Sequence, residues 1–305
     1  MKYSIIIPVY NGEQTLVALN QKLHNFFEKK STFEIIFVYD CGKDNSWEVL
    51  LEIKKDFSDT VKLIRLSRNF GQHNALICGF EYAKGDFIIT MDEDLQHAPE
   101  DIQILIEKQQ EKDFDVVYGK YETRKHTVFR NLTSSILKKI IEIGIPDIHP
   151  DYTAFRLIKS QVAKTCVDMR NSYTFLDGYL SWVTTHCDSC VVSHHERQGG
   201  VSAYTLSKLI NHTINIFVTF SNLPIRFLTK MSFVVLFLMS LYSAYVVFRK
   251  LIFDDFAMGY PSLVIIIGFG IGLIMLALGI IGEYIYRINL KTTQRPNYNI
   301  DKIIE

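Results

Sequence analysis

Phe87-Ile-Ile-Thr-Met-Asp92-Glu93-Asp94-Leu95-Gln96 is a short apolar run that ends in three consecutive carboxylates. Five apolar-rich residues are too few for a helix and suit a buried strand, Phe87–Met91, with the acidic residues at its carboxyl end. Adjacent like charges repel, so the cluster needs a reason. A hard divalent cation, Mg²⁺ or Mn²⁺, supplies one, because it takes oxygen ligands and bridges substrate phosphates. Asp92 and Asp94 can approach one ion from a turn, and the Gln96 amide oxygen can add a third ligand. The competing reading is an acidic turn at the start of the helix that begins near Pro99, where the helix dipole favours carboxylates. These ten residues alone leave the two readings level.

Working outward, the same strand-then-helix rhythm recurs on both sides. Tyr3–Pro8, Phe33–Tyr39 and Val61–Leu66 read as strands, and Asp115–Tyr118 as an extended segment. Amphipathic stretches from about Glu13 to Lys29, Asn45 to Phe57, Gln72 to Ala83 and Ile102 to Lys112 read as helices. This alternation predicts an α/β domain, a mainly parallel sheet flanked by helices. Binding in such a sheet takes place at the carboxyl ends of the strands. That directs attention to Pro8–Glu13, Asp40–Ser46, Arg68–Gln72 and Asp92–Gln96.

Beyond residue 205 the chain changes character. Ser207–Phe227 is apolar on one side and reads as a juxtamembrane amphipathic helix. Met231–Phe248 and Tyr260–Gly282 then run 18 and 23 residues without a charge. At helical rise they reach roughly 27 and 34 Å, enough to cross a bilayer. Glycines 268, 270, 272, 279 and 282 in the second run suit close helix packing, and with it a dimer or tetramer. Arg249 and Lys250 lie between the runs, whereas Arg226, Lys230, Arg287, Lys291 and Arg295 flank them. The excess of positive charge on the flanks predicts an integral membrane protein with both termini in the cytoplasm. The expected divisions are 1–205 catalytic, 206–227 amphipathic, 228–290 anchor and 291–305 a cytosolic tail. The 33 Lys+Arg and 33 Asp+Glu cancel over the whole chain, which argues against a basic nucleic-acid binder. Residues 1–225 carry 25 basic against 28 acidic residues, and 226–305 carry 8 against 5. Five cysteines, an odd number in a long chain, suit a reducing compartment. Cys187 and Cys190 form a CxxC near His186, His194 and His195. One such pair does not define a zinc site, and Cys187–Ser193 reads as a helix end followed by a strand.

Taken together, Pro8-Val-Tyr-Asn-Gly-Glu13, Val38-Tyr-Asp-Cys-Gly-Lys-Asp-Asn-Ser46, Ser67-Arg-Asn-Phe-Gly-Gln72 and Asp92–Gln96 resemble the family-2 glycosyltransferases. The resemblance is to the membrane-anchored branch that makes polyprenyl-phosphate sugars, and it extends over Asp151–Arg156, Arg197–Tyr204, Gly279–Tyr284 and Arg295–Tyr298. It implies a GT-A fold, a nucleoside-diphosphate sugar donor, a polyprenyl (undecaprenyl or dolichyl) phosphate acceptor and the inner membrane of a bacterium. Residue by residue, it implies that Pro8, Tyr10, Asn11, Glu13, Asp40, Arg68, Gln72 and Asp92 line the donor pocket, with Asp40 toward the base. Asp92, Asp94 and Gln96 hold the metal on the diphosphate. Arg124, Arg130 and Ser134 meet the acceptor phosphate, and Arg197 reaches the phosphates from a loop. The chain departs from the family pattern at Tyr39, at Gly12 between Asn11 and Glu13, at Tyr121 and at Ala203.

The chemistry agrees with these roles. A phosphate acceptor is already ionised near neutral pH and needs no general base. It does need cations, and arginine pairs with phosphate in a bidentate fashion. Without the family pattern, Arg124, Arg130 and Arg197 read as a solvated face. A hydroxyl acceptor needs a carboxylate base, for which Asp151 is the candidate. A membrane adaptor that uses the fold for binding alone is the reading from outside enzymology.

Overall fold

The computed structural model describes residues 2–28, 31–121, 141, 143–145, 147–169, 173–193, 206–221, 260–292 and 296–305, with isolated positions between 230 and 252. Every residue of Tyr3–Val9 (β1) is buried, as a strand covered on both faces requires. Its neighbours are Phe33–Tyr39 (β2), Val61–Leu66 (β3) and Phe87–Thr90 (β4). The sheet is completed by Val116–Tyr121 (β5), Arg156–Lys159 (β6), Cys187–Val192 (β7) and Ile300–Ile304 (β8). The order is β7-β5-β6-β4-β1-β2-β3-β8.

Side chains alternate between the two faces with the strand's period of two. Ile6, Ile36, Val38 and Ile64 enter one core, while Ile5, Ile7, Ile35 and Phe37 enter the other. Leu16–Phe27 (α1), Ser46–Asp56 (α2) and Ile102–Lys112 (α4) cover the second face. Gln72–Tyr82 (α3), Ser160–Val167 (α5) and Leu176–Val183 (α6) cover the first. Leu206–Phe220 (α7) adds Ile216 and Phe220 to that same core.

The sheet is mainly parallel, as expected, with two strands, β6 and β8, reversed. β4, β1, β2 and β3 are mutually parallel. β6 runs antiparallel between β4 and β5, and β8 runs antiparallel to β3. β6 is four residues long, and β8 carries three exposed residues of five, so neither shows the long apolar run that marks a strand in the sequence. The CxxC lies wholly within β7; the preceding helix ends earlier, at Val183. Residues 300–304 belong to the sheet, in a stretch expected to be a tail.

Tyr260–Thr292 (α8) is one continuous helix. Leu263, Ile267, Ile274, Leu276, Leu278 and Ile281 are all about half exposed or more. Among the described residues no helix is long and apolar enough to cross a membrane. Side chains at 261, 262, 264, 265, 268 and 269 of α8 fall outside that set, although the sequence is uncharged from Tyr260 to Gly282. A Cβ added at Gly270, Gly279 or Gly282 meets nothing within 4 Å, so the close packing expected there has no counterpart among the described residues of this chain. The last turns of α8 lie against α7: the Tyr284 hydroxyl donates to the Ser221 carbonyl at 3.2 Å, and Arg287 Nη1 to Thr219 Oγ1 at 2.9 Å.

Candidate active site

β4 stops at Thr90, and the chain turns through Asp92–Gln96 with Leu95 at φ 60°. The Gln96 backbone N–H donates to Asp94 Oδ1 at 3.1 Å. The Asp92 N–H donates to Nδ1 of His97 at 3.2 Å. His97 is buried, with its ring nearly parallel to those of Phe155 (centroids 5.0 Å apart) and Tyr121 (6.0 Å). Asp92 Oδ1 accepts a bond from Gln72 Nε2 at 2.5 Å.

Glu93, the middle carboxylate, faces the β1 loop instead. Its Oε1 accepts the Tyr10 N–H at 3.4 Å, and a Cβ on Gly12 would sit 2.7 Å from its Cγ. The unusual glycine between Asn11 and Glu13 thus makes room for Glu93. Burial first, and the Asp92 charge second, push the Glu93 carboxyl up to about 8. A proton on Glu93 at neutral pH relieves the three-fold repulsion that the sequence implies.

The loops after β1 and β2 are tied together. Asn11, at φ 61°, accepts the Lys43 N–H on its side-chain oxygen at 2.7 Å. The Gly12 N–H donates to Ser46 Oγ at 2.9 Å, and the Glu13 N–H to Asp44 Oδ2 at 3.1 Å. In return the Asn45 N–H donates to Glu13 Oε2 at 2.8 Å. Glu13 therefore joins two loops and satisfies an orphan donor at the start of α2. Asp40 is buried and accepts the Phe70 and Gly71 N–H groups at 2.6 and 2.8 Å, one on each oxygen. Burial raises its pKa, against the lowering effect of those two bonds. Gly71 sits at φ 91°, a conformation that favours glycine. The Arg68 guanidinium lies over the Phe70 ring, 4.7 Å from its centroid. Pro8 is buried in β1 opposite Val38, and Tyr10 is exposed. The carboxyl ends of four adjacent strands thus gather Tyr10, Asn11, Asp40, Arg68, Gln72, Asp92 and Asp94 on one rim.

The model of the family described as "Glycosyl transferase family 2" matches residues 4–164. The chain belongs to glycosyl transferase family 2. The transferase is 33% identical over 306 residues to the prophage bactoprenol glucosyl transferase homolog of Escherichia coli K12, covering 99% of both chains. It is 31% identical over 307 residues to the undecaprenyl-phosphate 4-deoxy-4-formamido-L-arabinose transferase of Photorhabdus laumondii, covering 99% of this chain and 94% of that one. Its fold is similar to that of glucosyl-3-phosphoglycerate synthase from Mycobacterium tuberculosis, solved with Mn²⁺, UDP-glucose and phosphoglyceric acid. The TM-score there is 0.54 at 12% identity, over 72% of this chain and 78% of the other.

The transferase's own donor set suits a hard divalent cation held partly by substrate. Asp92, Asp94 and Gln96 are half-buried oxygen donors at one turn. Among the described residues no group of three or more His, Cys, Asp or Glu can hold a metal alone. Two carboxylates and an amide leave coordination positions for diphosphate oxygens, the usual arrangement for Mg²⁺.

Asp151 Oδ2 accepts bonds from Lys120 Nζ at 3.1 Å and Ser189 Oγ at 3.0 Å. Arg124, Arg130, Ser134 and Arg197 lie outside the described residues, as do His194, His195 and Ala203. The CxxC thiols turn toward backbone carbonyls, Cys187 to Thr184 and Cys190 to Tyr118. Burial pushes them up to about 12 and 11, the opposite of what a zinc thiolate needs. Two site residues, His97 and Glu93, are not singled out by the sequence reading. Their proximity to the aspartates was visible, but their partners Phe155, Tyr121 and Gly12 are distant in sequence.

Proposed function

We propose that this glycosyltransferase moves a sugar, with inversion, from a nucleoside-diphosphate sugar to a polyprenyl phosphate at the cytoplasmic face of a membrane, using Mg²⁺ or Mn²⁺. The observation that carries the donor half is the Ser67–Gln72 loop, which joins buried Asp40 to Asp92. A base near Asp40 and a diphosphate near Asp92 and Asp94 then occupy one continuous rim. When bound, the cation neutralises charge that develops on the departing nucleoside diphosphate. Asp92, Asp94 and Gln96 hold it; Asp40, through Phe70 and Gly71, sets the loop that borders the donor. The resemblance gives Arg124, Arg130 and Ser134 to the acceptor phosphate and Arg197 to the donor phosphates.

The lipid acceptor is supported by the bactoprenol and undecaprenyl-phosphate relatives, which match over nearly the whole chain. It is also supported by the engagement of Asp151. A carboxylate paired with an ammonium and a hydroxyl is poorly placed to take a proton from a hydroxyl acceptor. The membrane reading is supported by the two uncharged runs and by the exposed apolar side chains of α8. An anchored dimer or tetramer remains part of the proposal.

Purified protein incubated with undecaprenyl phosphate and a panel of UDP-, GDP- and dTDP-sugars, in Mn²⁺ or Mg²⁺, tests this. One donor is expected to give a lipid-linked sugar, and Asp94→Asn to lower its formation about 100-fold or more. No product with any donor sinks the proposal. Product with a glycan hydroxyl, abolished by Asp151→Asn while donor binding persists, favours the base-dependent reading.

A further inference from the structure

Residues 296–305 follow the long helix α8 in sequence yet return to the catalytic sheet. β8 pairs with β3 in the register Leu63↔Ile304, Ile64↔Ile303, Arg65↔Lys302 and Leu66↔Ile300, with an irregularity between Arg65 and Leu66. The pairing continues past the strands, because the Ser67 N–H donates to the Asn299 carbonyl at 2.9 Å. Ser67 opens the loop that leads to Gln72. That loop is therefore held at its start by the tail, in its middle by Asp40 through Phe70 and Gly71, and at its end by the Gln72–Asp92 bond.

The tail has anchors of its own outside the ladder. Asn297 Nδ2 donates to the Met169 carbonyl at 3.0 Å, and the Tyr298 hydroxyl donates to the Glu81 carboxylate on α3. At the far end Lys62 Nζ lies 2.6 Å from Glu305 Oε1. Covering an exposed sheet edge needs only the β8 ladder. Anchors on α3 and at Met169, together with a bond into the donor loop, do more: they fix where the loop begins.

We propose that residues 296–305 are a positioning element of the donor site, bracing the Ser67–Gln72 loop so that Arg68 and Gln72 face the nucleoside diphosphate. This rests on the donor reading above. The physical effect of the brace is preorganisation: a loop already ordered loses less freedom when the donor binds.

The test uses the otherwise complete chain ending at Thr292, with a synthetic peptide Pro296–Glu305 supplied in trans, since an added strand can restore a sheet edge. UDP, GDP and dTDP binding by calorimetry and amide exchange at Ser67, Phe70 and Gly71 are the two readouts. The expected result is about a tenfold rise in the nucleotide Kd and faster exchange at those three amides, with α1 and α2 amides unchanged. The peptide restores both. Unchanged affinity and unchanged exchange in the shortened chain overturn the proposal. So does a peptide that restores β3 protection without restoring nucleotide affinity. If the shortened chain does not fold, Asn297→Ala combined with Tyr298→Phe replaces it, keeping β8 and removing the outer anchors. A Kd raised about threefold at an unchanged melting temperature supports the proposal, and an unchanged Kd overturns it. A wild-type chain that binds none of the three nucleotides removes the donor reading itself, whereas the exchange data still judge the brace.

Discussion

At the scale of single residues, His97 shows how the Asp92–Gln96 loop is held. Accepting the Asp92 N–H requires an unprotonated Nδ1, and flanking by Phe155 and Tyr121 fixes the ring that carries it. An asparagine places an amide oxygen close to where Nδ1 sits, whereas alanine leaves the Asp92 N–H without that acceptor. His97→Ala is therefore expected to lower kcat/KM about 10- to 100-fold and to raise the metal concentration needed for half-maximal turnover. His97→Asn should recover most of that loss; an asparagine variant as poor as alanine contradicts the assignment. Asp115 gives a pH dependence. Burial raises its pKa, but the Thr184 hydroxyl (2.7 Å) and Lys159 (3.1 Å) outweigh this and hold it below the usual carboxylate range. A depressed folded pKa means stability that is present above the unfolded value of about 3.9 and lost as pH falls through the folded one. Asp115→Asn should melt lower than wild type at pH 7, by no more than about 1 kcal/mol because solvent screens the pair. In thermal melts the gap should close as the pH is lowered below about 4.

At the scale of elements, the β1-to-β4 half was legible because each strand is a continuous apolar run and each helix an amphipathic one. β2, β3 and α4 have the bounds that the pattern predicts. β6 was not legible. It is four residues long, and its first residue is Arg156, fully buried among Thr90, Tyr118 and the Asp177 carboxylate. A charge reads as surface until the partner that neutralises it is known, and Asp177 lies 21 residues away. The site shows the same divide. Asp92 and Asp94 announce themselves by repulsion, but that Asp40 would be spent on the Phe70 and Gly71 amides depends on how a distant loop folds back. Packing between α6 and α7 depends on Gly178, where a Cβ would meet Phe220 Cε1 at 2.5 Å and Phe175 Cδ1 at 3.0 Å. Gly178→Val should force these rings apart at about 1–3 kcal/mol in stability. Thermal melts of the variant against wild type check that loss.

At the scale of the whole molecule, the pairing of β8 with β3 constrains any membrane anchor. β3 lies before the uncharged runs and β8 after them, and hydrogen-bonded strands must be on one side of a bilayer. The number of crossings between residues 67 and 299 is therefore even. Two runs that both cross, as proposed above, satisfy this, and the positive-inside pattern of the flanks supports a cytoplasmic shared side. Removing residues 231–248 leaves one run and an odd count. The tail is then either stranded across the bilayer from β3, or it keeps its pairing and draws the remaining run out of the membrane. In either case the deletion should cost far more than the loss of an apolar segment. A chain lacking 231–248 is expected to lose amide protection in β3 and, with it, lipid-linked product, or else to leave the membrane fraction on alkaline washing. A chain in which the deletion preserves β3 protection, activity and membrane retention together shows that 231–248 does not cross. The proposed anchor is thus tested through a strand at the edge of the catalytic sheet.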